Sequence, residues 1–120
     1  MGQYNSIVKI DAGTVALAYS GQGADGFVTT FDVASDGSSI TEVATLEYNT
    51  NYALWHSNIV QVDSETYLLA NGNQGDITAF TISSDGTTIT VVTSLSHLAS
   101  CITFHTSLVV VYSDTYGLFY

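Results

Sequence analysis

The sequence has 120 residues, a mass of 12.8 kDa and a formal net charge of -10, with a single basic residue, Lys9. So little positive charge excludes nucleic-acid binding and disfavours anionic membrane surfaces, because both need clustered Lys or Arg side chains. The hydrophobic content of 46% and the aromatic content of 12% are too high for a disordered chain and predict one small folded domain.

The cysteine count and the search for membrane or targeting segments exclude some classes of protein but do not indicate a location. The one cysteine, Cys101, excludes an internal disulfide framework. No apolar run approaches the ~18 residues of a membrane span, so we expect no membrane insertion. The first residues lack a basic segment followed by an apolar one, so no secretory signal is expected. The sequence leaves the localisation open.

Internal repetition is the strongest pattern in the chain. The segment 27–48 resembles the stretch that ends with 77–97, at an offset of 49 residues, and the segment 5–19 resembles the segment 57–71, at an offset of 52 residues. A fixed period of about 50 residues predicts repeated structural units. The predicted domain spans residues 1–120 and holds two units and half of a third, at about 5–48, 57–97 and 106–120.

Each full unit is predicted to contain four short strands, which we name a to d in chain order. In the second unit they are expected at 58–63, 66–70, 77–82 and 88–95, where β-branched residues are frequent. Ser-Asp-Gly sequences between strands c and d predict tight hairpins with positive φ at Gly37 and Gly86. No segment has a sustained 3.6-residue apolar period, so no helix is expected.

A four-stranded antiparallel unit of this length fits a β-propeller blade, whereas a stacked β-solenoid usually has a shorter repeat. The residues that carry a resemblance are His56, Val62-Asp63, 67–71, 77–80 and 84–87. This pattern resembles the blades of lactonase-like and YVTN-type propellers and, more closely, highly repetitive propeller arrays of marine phages and bacteria. The resemblance covers nearly the whole chain.

The resemblance implies an all-β fold of about two and a half four-stranded antiparallel blades per chain, although it says little about function. Because propellers close into rings of 4–8 blades, we expect a homo-oligomer that completes the ring. A self-contained β-sandwich of the same ten strands is the alternative if the chain is a stable monomer.

Antiparallel alternation places the b–c loops and the d–a loops at one end of each sheet, which we call the loop-rich rim. The a–b turns and the Ser-Asp-Gly hairpins lie at the opposite end and offer little chemistry. Aromatic, amide and carboxylate side chains collect at the loop-rich rim without any positive charge. The candidate ligand-binding residues are Tyr19, Gln22, Asp25, Asn71, Gln74, Asp76, Tyr48, Tyr52, Trp55 and His56.

Carbohydrate binding suits this mixture, because aromatic rings cover the apolar faces of sugars while amides and carboxylates bond to hydroxyls. The alternative is that Tyr48, Tyr52 and Trp55 only pack between adjacent blades. Both interpretations remain open from the sequence alone.

Catalytic and metal chemistry are not favoured. His56 and His105 occupy equivalent positions of successive units, which is typical of an architectural residue, and three or four converging zinc ligands are not evident. Cys101 lies among apolar residues, which favours a buried, inert thiol. The loop 21–25 partly matches a calcium-binding nonapeptide, but such sites need tandem copies, and calcium there is left open. No catalytic residue, metal or cofactor is predicted.

Two functional hypotheses remain. The first is a non-enzymatic structural and binding module of a virion or an extracellular surface, which recognises a glycan or a receptor through the loop-rich rim. The second is a lactonase-like hydrolase that acts as a completed propeller. A hydrolase needs convergent acid–base or metal groups near the axis, and this short chain offers few.

Overall fold

The protein is all-β in the parts that a computed structural model describes, namely residues 3–50, 57–71, 75–96, 107–112 and 115–119. The strands are β1 (Gln3–Asp11), β2 (Thr14–Ser20), β3 (Gly26–Val33), β4 (Ile40–Asn49), β5 (Ser57–Gln61), β6 (Thr66–Asn71), β7 (Asp76–Ile82), β8 (Ile89–Ser96), β9 (Ser107–Tyr112) and β10 (Thr115–Phe119). These ranges contain no α-helix, and one 3₁₀ turn, Gln22–Ala24, interrupts the loop between β2 and β3. None of the described residues belongs to a helix that is long and apolar enough to cross a membrane.

The strands form two four-stranded antiparallel sheets and one hairpin. The first sheet has the order β1-β2-β3-β4, the second has the order β5-β6-β7-β8, and β9 pairs with β10. The sequence-based prediction of two four-stranded antiparallel units is thus confirmed.

The sequence repeat is also a repeat of strand register. Val15 pairs with Phe31 in the first sheet, and the equivalent Tyr67 pairs with Phe80 in the second. An irregularity follows Thr30 in the first sheet and the equivalent Ala79 in the second. Because even this local departure recurs, the two sheets are copies of one structural unit.

Both Ser-Asp-Gly hairpins adopt the predicted backbone. Gly37 and Gly86 each have a φ of 73°, in the left-handed region that glycine adopts without a Cβ clash. The preceding carboxylates brace the turns, since Asp36 Oδ1 accepts from the Ser38 amide at 2.9 Å and Asp85 Oδ1 accepts from the Thr87 amide at 3.0 Å.

The hydrophobic core lies between the first and second sheets. Alternation along β2 directs the small side chains of Ala16 and Ala18 to this inner face, and both are fully buried. Opposite them the second sheet contributes larger buried side chains, Tyr67, Leu69 and Phe80. Small residues on one sheet thus make room for large residues on the other, as dense packing requires.

Polar contacts also join the two sheets. The Thr30 hydroxyl donates to the Gly86 carbonyl at 2.7 Å in a buried position, and the Ser6 hydroxyl accepts from the Ile59 amide at 3.1 Å. The first strands of successive units lie next to one another, because β1 contacts β5 and β5 contacts β9. The described strands do not form a closed sheet.

Candidate functional site

The strand register places the described members of the predicted rim at one end of the two sheets. Ser20, Gly26 and Asn49 lie side by side at this end of the first sheet. Asn71 and Asp76 lie at the matching end of the second. The candidate residues within the described ranges are Tyr19, Gln22, Asp25, Tyr48, Asn71 and Asp76, and those outside them are Gln74, Tyr52, Trp55 and His56.

Tyr19 and the loop that follows it pack on the first sheet. The Tyr19 ring stacks on Phe27 with centroids 5.6 Å apart, and its hydroxyl shares a 3.1 Å hydrogen bond with the Thr29 hydroxyl. The Gly21 amide donates to the Asp25 carbonyl at 2.9 Å, which closes the loop and leaves Gln22 exposed. These residues form one aromatic and polar group beside the first sheet.

Tyr48 lies between the two sheets. Its ring packs edge-on against Phe80, with centroids 5.3 Å apart and an interplanar angle of 86°. Burial raises the pKa of Tyr48 well above its usual range; the nearby Ser57 hydroxyl partly opposes that rise, and the Asp76 carboxylate adds to it. The phenol is therefore neutral at physiological pH.

The hydroxyl groups of Tyr48 and Ser57 are buried next to each other without completing a hydrogen bond. Their positions are close enough for Ser57 to influence the pKa of Tyr48. However, neither oxygen atom meets hydrogen-bond geometry with any partner in the described part of the chain. A buried hydroxyl without a partner is destabilising, and it commonly marks the position of a water molecule or a ligand.

Two further polar residues adjoin these hydroxyls. Asn71 is buried and pairs in register with both Ser57 and Asp76. The Asp76 carboxylate accepts a 2.5 Å hydrogen bond from the Ser96 hydroxyl. We call Tyr48, Ser57, Asn71 and Asp76 the rim cluster, since they meet at the loop-rich end of the contact between the sheets.

Three members of the rim cluster were predicted from the sequence as candidate ligand-binding residues, but Ser57 was not. Only the pairing of β5 with β6 places Ser57 opposite Asn71, although a serine two residues after the aromatic segment 52–55 was an available signal. The packing interpretation of Tyr48 also describes its ring correctly, because the ring contacts Phe80. Tyr19 belongs to a separate group.

The opposite end of the first sheet contains a cavity that the sequence did not predict. A cavity of about 320 Å³ adjoins the a–b turn there and is lined in part by Lys9, Asp11 and Ser35. In the second sheet the corresponding end carries Asp85, whose pKa is lowered to about 2 by hydrogen bonds from the Ser83 hydroxyl and from Thr87. These carboxylates face solvent and brace turns.

Metal ligation finds no support in the described ranges, which bring no three His, Cys, Asp or Glu side chains together. In the loop 21–25 the only carboxylate is that of Asp25, and Gly23 has a φ of 77°. The predictions about His56, His105 and Cys101 concern residues outside the described ranges.

Comparison with known proteins adds no identification. No family model matches the chain, and no curated protein is significantly similar to it.

Proposed function

We propose that the chain is a non-enzymatic structural and binding module whose sheets are propeller-type blades. The equal register of the two sheets and their face-to-face packing support this proposal. So does the order of contacts, since strand a of each unit lies next to strand a of the following unit. In a propeller these innermost strands surround the axis. Homo-oligomerisation completes the ring in this proposal.

Recognition of a glycan or receptor is assigned to the loop-rich rim. The observation that carries this assignment is the rim cluster, in which two buried hydroxyls have no hydrogen-bond partner among the described residues and lie beside the Asp76 carboxylate. Sugar hydroxyls both donate and accept hydrogen bonds, so they match a neutral phenol, a serine hydroxyl and a carboxylate. The stacked Tyr19 and Phe27 rings supply an apolar surface at the same end of the first sheet, separate from the rim cluster.

The charge of the chain supports a role at an exposed surface. With a net charge of -10 and one Lys, the protein repels nucleic acids and anionic lipids but not neutral sugars. A virion or an extracellular surface is the proposed setting.

A glycan array with the wild-type protein and two variants tests the recognition proposal. Asp76→Asn removes a charge in the rim cluster, whereas Asp36→Asn removes the same charge from an exposed hairpin at the opposite end. We expect wild type and Asp36→Asn to bind the same glycans and Asp76→Asn to lose at least tenfold in affinity. Equal binding by all three proteins, or no binding by any, would contradict glycan recognition at the rim cluster.

A further inference from the structure

The first sheet has an apolar face that nothing covers in the described part of the chain. This outer face is opposite the core and forms a shallow groove of about 290 Å³. Ile7 and Ile40 are 63% and 69% exposed there. The groove is lined by Ile7, Val15, Leu17, Phe31, Val33 and Ile40. Contiguous apolar surfaces of this kind mark interaction sites.

The repeat shows which surface covers such a face. The six groove positions are equivalent to six positions of the second sheet, which are buried in or packed against the core between the sheets. These equivalents are Ile59, Tyr67, Leu69, Phe80, Ile82 and Ile89. In the second sheet this face lies on the inner face of the first sheet, around Ala16 and Ala18. The same face is therefore covered in one unit and open in the other.

The two glycine hairpins have the same asymmetry. A Cβ atom added at Gly86 would lie 2.9 Å from Thr14 Cγ2 and 3.1 Å from Thr30 Cβ, because this hairpin packs on the first sheet. At the equivalent Gly37 no atom of the described residues lies within 4 Å. The Gly37 hairpin and the groove are therefore both uncovered in the described part of the chain, whereas their equivalents in the second unit both pack on a neighbouring sheet.

We propose that the outer face of the first sheet docks on the β9–β10 end of a second copy of this chain, in a head-to-tail contact. Strand β9 contacts β5 as β5 contacts β1, so the hairpin continues the stack of units. The pairing of Val109 with Gly117 repeats that of Val8 with Ala16, the pair opposite which the second sheet packs. The β9–β10 hairpin therefore repeats the backbone of β1 and β2, which form part of the surface on which the second sheet packs.

Charge favours a second copy as the occupant. The chain's single basic residue, Lys9, lies on the outer face next to the groove, in register with Val15. Every copy has 11 acidic residues and no other Lys or Arg, so the docking face has the one basic side chain that can meet an acidic neighbour. A head-to-tail contact of this kind produces a ring or a filament. This inference rests on the proposed assembly and identifies its contact face.

Two matched lysine variants test the face by light scattering coupled to size exclusion. Ile40→Lys places a charge in the groove, whereas Thr41→Lys places the same charge on the adjacent, exposed residue of the other face. We expect Thr41→Lys to keep the wild-type mass and Ile40→Lys to shift to 12.8 kDa. A wild-type multimer that both variants retain would overturn the docking face but leave assembly intact, and a monomeric wild type would overturn both.

Cysteine cross-linking tests the head-to-tail geometry. Ile7→Cys and Gly117→Cys are made separately, each with Cys101→Ser so that no other thiol is present. We expect a disulfide-linked dimer when the two proteins are mixed and at least tenfold less when either is oxidised alone. Efficient cross-linking of Ile7→Cys to itself would indicate a two-fold contact and overturn the proposal. Absence of the mixed dimer, while Ile40→Lys still abolishes assembly, would show that another surface occupies the groove and would overturn it as well.

Discussion

Replacing Gly86 with alanine tests the packing of the second sheet on the first, and Gly37→Ala is the matched control. Both glycines have a φ of 73° in equivalent hairpins, so both substitutions incur the same left-handed strain of roughly 1–2 kcal/mol. Their surroundings differ, because Gly86 is buried against Thr14 and Thr30, whereas Gly37 is exposed. The difference between the two variants therefore reports the contact between the sheets.

The additional loss at Gly86 has two sources. The new Cβ atom would lie 2.9 Å from Thr14 Cγ2 and 3.1 Å from Thr30 Cβ, and such overpacking costs roughly 1–3 kcal/mol. A shift of the hairpin that relieved this clash would stretch the 2.7 Å hydrogen bond from the Thr30 hydroxyl to the Gly86 carbonyl, worth about 1 kcal/mol. We expect Gly86→Ala to lower the free energy of unfolding by about 1–3 kcal/mol more than Gly37→Ala does.

Urea denaturation followed by circular dichroism measures both losses. The variants are made in the Ile40→Lys protein, which the docking proposal expects to be monomeric, so that contacts between copies do not contribute. Equal losses for the two glycines would refute the inference that the Gly86 hairpin packs on the first sheet.

Three further predictions concern single groups or the whole charge. Tyr48→Phe removes a buried hydroxyl that has no partner in the described ranges, so we expect the free energy of unfolding in urea to stay the same or to rise by about 1 kcal/mol. A loss of stability would show that this hydroxyl is bonded. The folded-state pKa of Asp85, about 2, is below the ordinary value of about 3.9, so its contribution to stability is present above about pH 4 and is lost as the pH falls towards 2. The melting temperature of wild type should consequently fall more steeply over this interval than that of Asp85→Asn, and parallel curves would contradict the assignment. Salt should raise the melting temperature, because it weakens the repulsion within a chain of charge -10. The Debye screening length falls from ~10 Å at 0.1 M to ~3 Å at 1 M. A melting temperature that stays constant over this range would show that repulsion among the acidic groups is negligible.

The strands and hairpins could be predicted because local signals repeat. Gly37 and Gly86 follow Asp in equivalent positions, and a turn that needs positive φ leaves little choice of residue. An alternating pattern also indicates which side chains of one strand share a face.

The asymmetry between the units could not be predicted from the same repeat. Equivalent residues have similar sequence surroundings, yet Gly86 is packed and Gly37 is open, because only the arrangement of the sheets decides which face is covered. Ser57 was missed for a related reason: its importance depends on Tyr48, which reaches it from the other sheet. Contacts between units are set by three-dimensional packing, which a one-dimensional repeat does not encode.

The mass of the wild-type protein in solution tests the central claim most directly. The claim is that the face that joins the two sheets within a chain also joins chains to one another. Light scattering across the micromolar range should give a single species whose mass is a multiple of 12.8 kDa. A monodisperse monomer of 12.8 kDa over the same range would contradict it and would favour a self-contained β-sandwich.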